Sequence, residues 1–186
     1  MIILASDSPR RKELLSDLFG DINIYSQHID ESYSKSRPSF VVREIAVKKL
    51  KDIEADYNDI VISADTIVYF KGKFLGKPKS KREALETLKS LSGKTHSVYT
   101  GVAVRFRGKT VSFYDKTYVT FKRLDDDDVK NYIDGGSPMD KAGSYGIQDK
   151  WMIKNFKGSY NNVLGLPTEK LVSLLADLGA DKYVKN

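Results

Sequence analysis

"IILASDSPRRKELLSDLF", residues 2–19, decides how this chain begins to fold. It reads as a short apolar strand, a small polar turn and then a helix. Ser8 is a natural N-cap, and Pro9 suits the first helical position, where its missing N–H costs nothing. Arg10, Arg11 and Lys12 then crowd the end of the helix that already carries partial positive charge and favours Asp or Glu. A solvated basic face is the plain explanation for an isolated basic pair. Here the strand, the hydroxyls of Ser6 and Ser8, the helix dipole and the guanidinium forks converge on one point, which is how a phosphate site is built. Without an anion the cations oppose the dipole by a few tenths of a kcal/mol each. Removing Arg10 or Arg11 is therefore expected to leave the fold as stable or slightly more so. The stretch has neither a Walker A loop nor the glycine fingerprint of a dinucleotide fold.

Composition narrows the class. The 186 residues suffice for one well-cored domain, and 40% hydrophobic with 30% charged residues is ordinary for a globular protein. There are no cysteines, so disulfides and thiolate metal sites are excluded, and two histidines make a histidine-rich zinc centre untenable. No apolar run approaches membrane-spanning length and no secretory segment opens the chain, so a cytoplasmic protein is expected. The net charge of +6 points to a polyanionic partner, either nucleic acid, a nucleotide or an anionic surface.

Strand and helix signals alternate without a linker or repeat. "INIYS" (22–26) reads as a second strand, 38–53 as a helix and 59–70 as a β-branched strand closed by a "KGK" turn. Residues 80–93 carry a capping box, Ser80 to Glu83, and a terminal glycine. Two long β segments, 95–106 and 110–121, meet at "RGK" as a hairpin. A helix from Asp126, a glycine-rich loop over 135–146, a short strand pair around "KGS" (157–159) and a helix over 167–178 complete the chain. The expected fold is α/β, on a mixed sheet flanked by helices.

Several charges sit where packing alone would not put them. On the 38–53 helix, Val42, Ile45, Ala46 and Ile53 centre the apolar arc, and Lys49 falls inside it. A lysine snorkelling from the core edge and a lysine reaching into a cleft fit that spacing equally. In "SADT", Asp65 interrupts an apolar strand, and a buried carboxylate must be paired, bound to a metal or catalytic. "HIDES" offers Asp30 and Glu31 as further oxygen ligands. "DDDD" (125–128) resembles a metal site, but it opens a helix, where Asp125 caps and the dipole favours the rest. Lys77 lies in a "GKP" loop. Gln148 ends the glycine-rich "MDKAGSYGIQ", its amide able to read donor and acceptor edges of a base.

Together "LASDSPRRKELL", "SADT", "LGKP", "LSGKTHSVYTGVAV", "DKAGSYGIQ" and "GSYNNVLGLP" resemble the Maf nucleoside triphosphate pyrophosphatases, first described as septum-formation proteins. The resemblance runs from Ile3 to about Leu178. It implies an elongated α/β fold, a single domain over 1–186 with two lobes around a cleft, a homodimer, and hydrolysis of nucleoside triphosphates to monophosphate and pyrophosphate with a divalent metal, Mg²⁺ or Mn²⁺. By position, it makes Asp65 the proton acceptor and a metal ligand, with Glu31 as an acid near the metal. Ser6, Arg10, Arg11, Lys49 and Lys77 match the phosphate-binding set. Arg10, Thr66 and Gln148 match the specificity determinants, in the form of the dTTP- and UTP-acting branch. The glycine that usually follows the glutamine is absent here, where Asp149 stands. Two other readings remain beside this one: a pyrophosphatase for modified nucleotides, and a nucleic-acid-binding division regulator. The last needs exposed aromatics interleaved with basic residues, and Tyr69, Tyr99 and Tyr118 fall in strand patterns instead.

Overall fold

The computed structural model describes residues 1–25, 37–136 and 138–185. Its opening stretch forms β1 (Ile2–Leu4), a turn and α1 (Pro9–Phe19). Then follow β2 (Asn23–Ile24), α2 (Pro38–Leu50), β3 (Ile60–Phe70), β4 (Lys73–Leu75) and α3 (Lys81–Leu91). The chain continues through β5 (Thr95–Phe106), β6 (Lys109–Phe121), α4 (Asp126–Asp134), β7 (Ile153–Lys157), α5 (Tyr160–Leu164) and α6 (Thr168–Asp177). The strands make one mixed sheet in the order β2-β1-β3-β5-β6-β7, with β4 paired to β3. β1 runs parallel to β2 and β3, and the remaining pairs are antiparallel. This is the α/β mixed sheet flanked by helices that the sequence implies.

Both hairpins turn on two residues. Lys71-Gly72 and Arg107-Gly108 all have positive φ, which gives the turn form whose twist matches the strands it joins. Three boundaries differ from their sequence readings. The second strand covers only Asn23–Ile24, and α2 ends at Leu50. "KGS" is not the centre of a strand pair: β7 precedes it and pairs with β6, and a helix follows. Ser159 Oγ caps that helix by accepting from the Asn162 N–H at 3.0 Å, and left-handed Gly165 stops it.

Side chains alternate across β3, and the two faces are covered differently. Val61, Ser63 and Asp65 face α2, which packs Ala46 and Leu50 against Val61 and Ala103. Gly101 on β5 stands opposite Asp65 in register, and a Cβ there would lie 2.3 Å from the Val42 carbonyl carbon. Glycine at 101 is what lets α2 lie so low on the sheet. The other face carries two clusters. One joins Leu15 of α1 and Leu171 of α6 to Leu4, Ile62, Ala64 and Val102. The second joins Leu88 of α3 and Ile133 of α4 to Val68, Val98 and Phe121. Between the clusters this face presents not an apolar pair but Thr66 and Thr100, partners in register.

The sheet is also interrupted at its edge. β5 holds one side of β3, so β1 (pairing 60–62) and β4 (pairing 68–70) share the other. No strand of the described residues covers 63–67 on that side. After the Ala5 N–H donates to Ile62 O at 2.8 Å, the first strand peels away through Ser6 into α1.

Candidate functional site

A cleft of about 440 Å³ opens at this double interruption. Its wall brings together Ser6, Arg10, Arg11, Lys49, Thr66, Lys77 and Gln148, residues separated by as much as most of the chain. Asp65 is not part of the wall. It stands behind it, 8% exposed, with its Oδ1 receiving the Lys49 ammonium at 2.8 Å. Glu31 and Asp30 lie outside the described residues.

The polar turn after β1 uses its serines in an unexpected way. Ser8 occupies the N-cap position, yet its side chain makes no capping bond. Instead the Ser8 N–H donates to Ser6 Oγ at 3.3 Å. The start of α1 is thus left facing the cleft without a side-chain cap, and Ser6 is fixed at its mouth.

The two adjacent arginines differ sharply. Arg11 is only 9% exposed. Its Nε donates to Gly165 O at 2.9 Å, Nη1 to Ser6 Oγ at 3.0 Å and Nη2 to Thr66 Oγ1 at 3.0 Å. One side chain therefore ties the serine turn, β3 and the end of α5 together. The expectation that removing Arg11 leaves the fold as stable or slightly more so is corrected: three directed hydrogen bonds from a charged donor outweigh a few tenths of a kcal/mol. Arg10 faces the cleft and pairs with Asp140 Oδ2 at 3.2 Å. Burial opposes ionisation of Asp140, but the Lys141 ammonium at 2.7 Å and the Arg10 guanidinium more than offset it and hold its carboxyl below the ordinary value.

Lys49 reaches inward from α2, contacting Asp65 and lining the cleft. The low seat of α2 over Gly101 makes that reach possible. Lys77 and Gln148 are exposed at the rim. At Gly146 a Cβ would fall 2.4 Å from Gln148 Oε1, so glycine allows the amide to fold back over its own loop. Below that loop Tyr145 OH meets His96 Nε2 at 2.7 Å, edge-on to Phe121. Burial lowers the His96 pKa to about 4 and raises that of the Tyr145 phenol. The ring is neutral at pH 7.

Sequence reasoning did not find Asp140, Thr100 or Asn162. Asp140 stands in the quoted glycine-rich segment, an acid among groups that gather cations, but no spacing rule pairs 10 with 140. Thr100 reads as one more β-branched strand residue. The acidic run at 125–128 is a cap, as its helical position implies: Asp125 Oδ1 accepts from the Asp127 N–H at 2.9 Å. Among the described residues no three or more His, Cys, Asp or Glu side chains gather as a metal site. Asp65, behind the wall, is a hard oxygen donor of the kind that suits a cation taking its other ligands from phosphate oxygens. No helix of the described residues is long and apolar enough to cross a membrane.

A family model described as Maf-like protein matches residues 1–178. A protein of Bacillus cereus (strain AH187) is 46% identical over 185 residues, covering 97% of this chain and 96% of its own. One from Bacillus cereus (strain B4264) is 45% identical over 184 residues, with the same coverage of 97% and 96%. One from Bacillus anthracis is likewise 45% identical over 184 residues, again covering 97% and 96%. Each of the three is named dTTP/UTP pyrophosphatase.

Proposed function

The chain belongs to the Maf-like protein family, and from that premise we propose that it hydrolyses nucleoside triphosphates, dTTP and UTP foremost, to the monophosphate and pyrophosphate. The observation that carries the reading is one cleft lined by Ser6, Arg10, Arg11, Lys49 and Lys77, with the shielded carboxylate of Asp65 joined to it through Lys49. A triphosphate carries about four negative charges, which must be screened before a nucleophile can approach phosphorus. Arg10, Lys49 and Lys77 supply that screening along the wall, and the N-terminus of α1 adds its dipole. Asp65 orients a water and takes its proton, while Lys49 fixes the carboxylate in place. The pyrophosphate leaves against the basic residues. Asp65 and Glu31 would hold a divalent cation, Mg²⁺ or Mn²⁺, which would supply further positive charge to the triphosphate. At the other end, Thr66 and Gln148 face the base.

Pyrophosphate release across standard and modified triphosphates, with each metal, tests the reading. dTTP and UTP are expected to exceed dATP and GTP in kcat/KM. Asp65→Asn, nearly isosteric, is expected to lower turnover on the order of a hundredfold or more while nucleotide still binds. Near-normal turnover by that variant would make Asp65 structural and sink the mechanism. Equal kcat/KM for purine and pyrimidine substrates would leave hydrolysis standing and remove the base preference. A cytoplasmic, two-lobed homodimer belongs to the same proposal, and sedimentation of the purified protein checks its assembly.

A further inference from the structure

The hydroxyl protons of this cleft can be counted. Thr100 is fully buried, with its Oγ1 2.8 Å from the backbone carbonyl oxygen of Asn162. A carbonyl only accepts, so the one hydroxyl proton of Thr100 is committed there. Thr66 Oγ1 lies 2.9 Å from Thr100 Oγ1, and the proton between them must then be that of Thr66. Otherwise two lone pairs would face each other at contact distance. Arg11 Nη2 donates into the same Thr66 oxygen at 3.0 Å. A hydroxyl has one proton and two lone pairs. The proton of Thr66 is spent and one lone pair is filled, which leaves one lone pair for a molecule in the cleft.

Ser6 is the mirror case. Its oxygen accepts from Arg11 Nη1 at 3.0 Å and from the Ser8 N–H at 3.3 Å. Both lone pairs are filled, and its proton is what remains to give. The same guanidinium thus feeds two cleft hydroxyls and leaves them with opposite polarity.

We propose that the relay from Arg11 through Thr66 and Thr100 to the Asn162 carbonyl fixes the hydrogen-bond polarity of the cleft. Ser6 meets substrate as a donor, Thr66 meets it only as an acceptor, and Thr100 is the positioning residue that holds Thr66 so. The inference rests on the cleft being a nucleotide site. A donor toward the anionic end suits phosphate oxygens. An acceptor farther along demands an N–H or O–H from the nucleoside. Thymidine and uridine triphosphates offer such donors at the base imide N3–H and at sugar hydroxyls. Cytosine presents a lone pair at N3, and against Thr66 that would set two acceptors together.

The test compares kcat/KM for dTTP, dCTP and 2′,3′-dideoxythymidine triphosphate in the unmodified protein, Thr100→Val and Thr100→Ser. The unmodified protein is expected to favour dTTP over at least one of the other two by about tenfold or more, as the loss of one buried partner dictates. A loss with dCTP identifies the imide as the donor, and a loss with the dideoxy compound identifies the sugar. Valine has nearly the shape of threonine but no oxygen, so Thr100→Val frees the Thr66 proton. It is expected to bring the ratio within about threefold of unity, chiefly by speeding the poorer substrate. Thr100→Ser keeps the relay and should keep the ratio. Where Thr100→Val does not fold, Thr66→Val closes the same gap from the other side, by slowing dTTP. Ratios near unity in the unmodified protein, or an unchanged ratio in the valine variant, overturn the inference while leaving the triphosphatase reading intact. No turnover of any nucleoside triphosphate overturns both.

Discussion

Arg10 and Arg11 are consecutive, equally charged and at the same helix end, yet their removal should have opposite consequences for stability. Arg11→Ala deletes three hydrogen bonds from a charged donor, each worth about 1.5–3 kcal/mol in a protected setting. Two of them discount heavily, because Ser6 and Thr66 border the cleft and water can take the place of the guanidinium. The third leaves the Gly165 carbonyl without its buried partner. Relief at the helix dipole returns a few tenths of a kcal/mol. The net expectation is a loss of about 2–4 kcal/mol, or roughly 5–15 °C in Tm for a domain of this size. Arg10→Ala loses one ion pair, to an Asp140 side chain that is 60% exposed. Such a pair contributes at most about 1 kcal/mol, and the dipole relief offsets part of it, so stability should stay within about 0.5 kcal/mol of the parent. Urea unfolding followed by circular dichroism, without nucleotide, measures both. Pyrophosphate release should fall in each. Arg11→Lys, which cannot span three acceptors with one planar fork, should resemble Arg11→Ala in stability. An Arg11→Ala protein that unfolds at the parental urea concentration would refute the bracing role and return Arg11 to a plain surface cation.

Two further outcomes follow from buried groups. The His96 pKa, lowered from 6.5 to about 4, means that the unfolded chain binds the proton first as pH falls. Stability should therefore drop by about 3 kcal/mol between pH 6.5 and pH 4, and His96→Gln should flatten that part of the pH profile. The carboxyl groups of Asp59, Asp126 and Asp140, all held below 3.8, begin to lose their own contribution from about pH 5 downward, so the difference between the parent and His96→Gln isolates the histidine part. Gly101→Ala forces a Cβ into the α2 backbone and should destabilise by about 1–3 kcal/mol or more, with a disproportionate loss of turnover as Lys49 draws away from Asp65. Thermal unfolding with a single-turnover assay checks this, and parental values in both would show that α2 can shift without consequence.

Much of this site was legible because its residues violate local rules. An aspartate inside a β-branched run, cations at a helix N-terminus and a lysine on an apolar arc each oppose propensity, and each lies at or immediately behind the cleft. The turns at 71–72 and 107–108 and the cap at Asp125 were legible because they obey local rules. What stayed hidden depends on partners far along the chain. That Arg11 is buried and braced follows from Gly165 arriving beside it, and nothing within several residues of Arg11 signals this. The helix after "KGS" was missed because "YNNVL" has weak helical propensity, and the Ser159 cap with the Gly165 stop overrides it. The committed proton of Thr100 is invisible in sequence, because its acceptor is a backbone carbonyl of no particular residue type.

The uncovered stretch of β3 has a consequence for how this chain can change over generations. Asp65 and Thr66 are neighbours on one strand and project to opposite faces, one toward Lys49 and the other toward Arg11. Thr66 lines the cleft and Asp65 stands behind it, joined to it through Lys49, where no strand of the described residues closes that edge between β1 and β4. Inserting or deleting one residue upstream within β3 would exchange the two faces, sending the carboxylate toward the guanidinium and the hydroxyl toward the ammonium. Substitutions elsewhere can be absorbed one at a time, but the length of this strand cannot drift. The spacing from Ile60 to Thr66 should therefore be inherited as a fixed unit, even where the apolar residues along it are exchanged for one another.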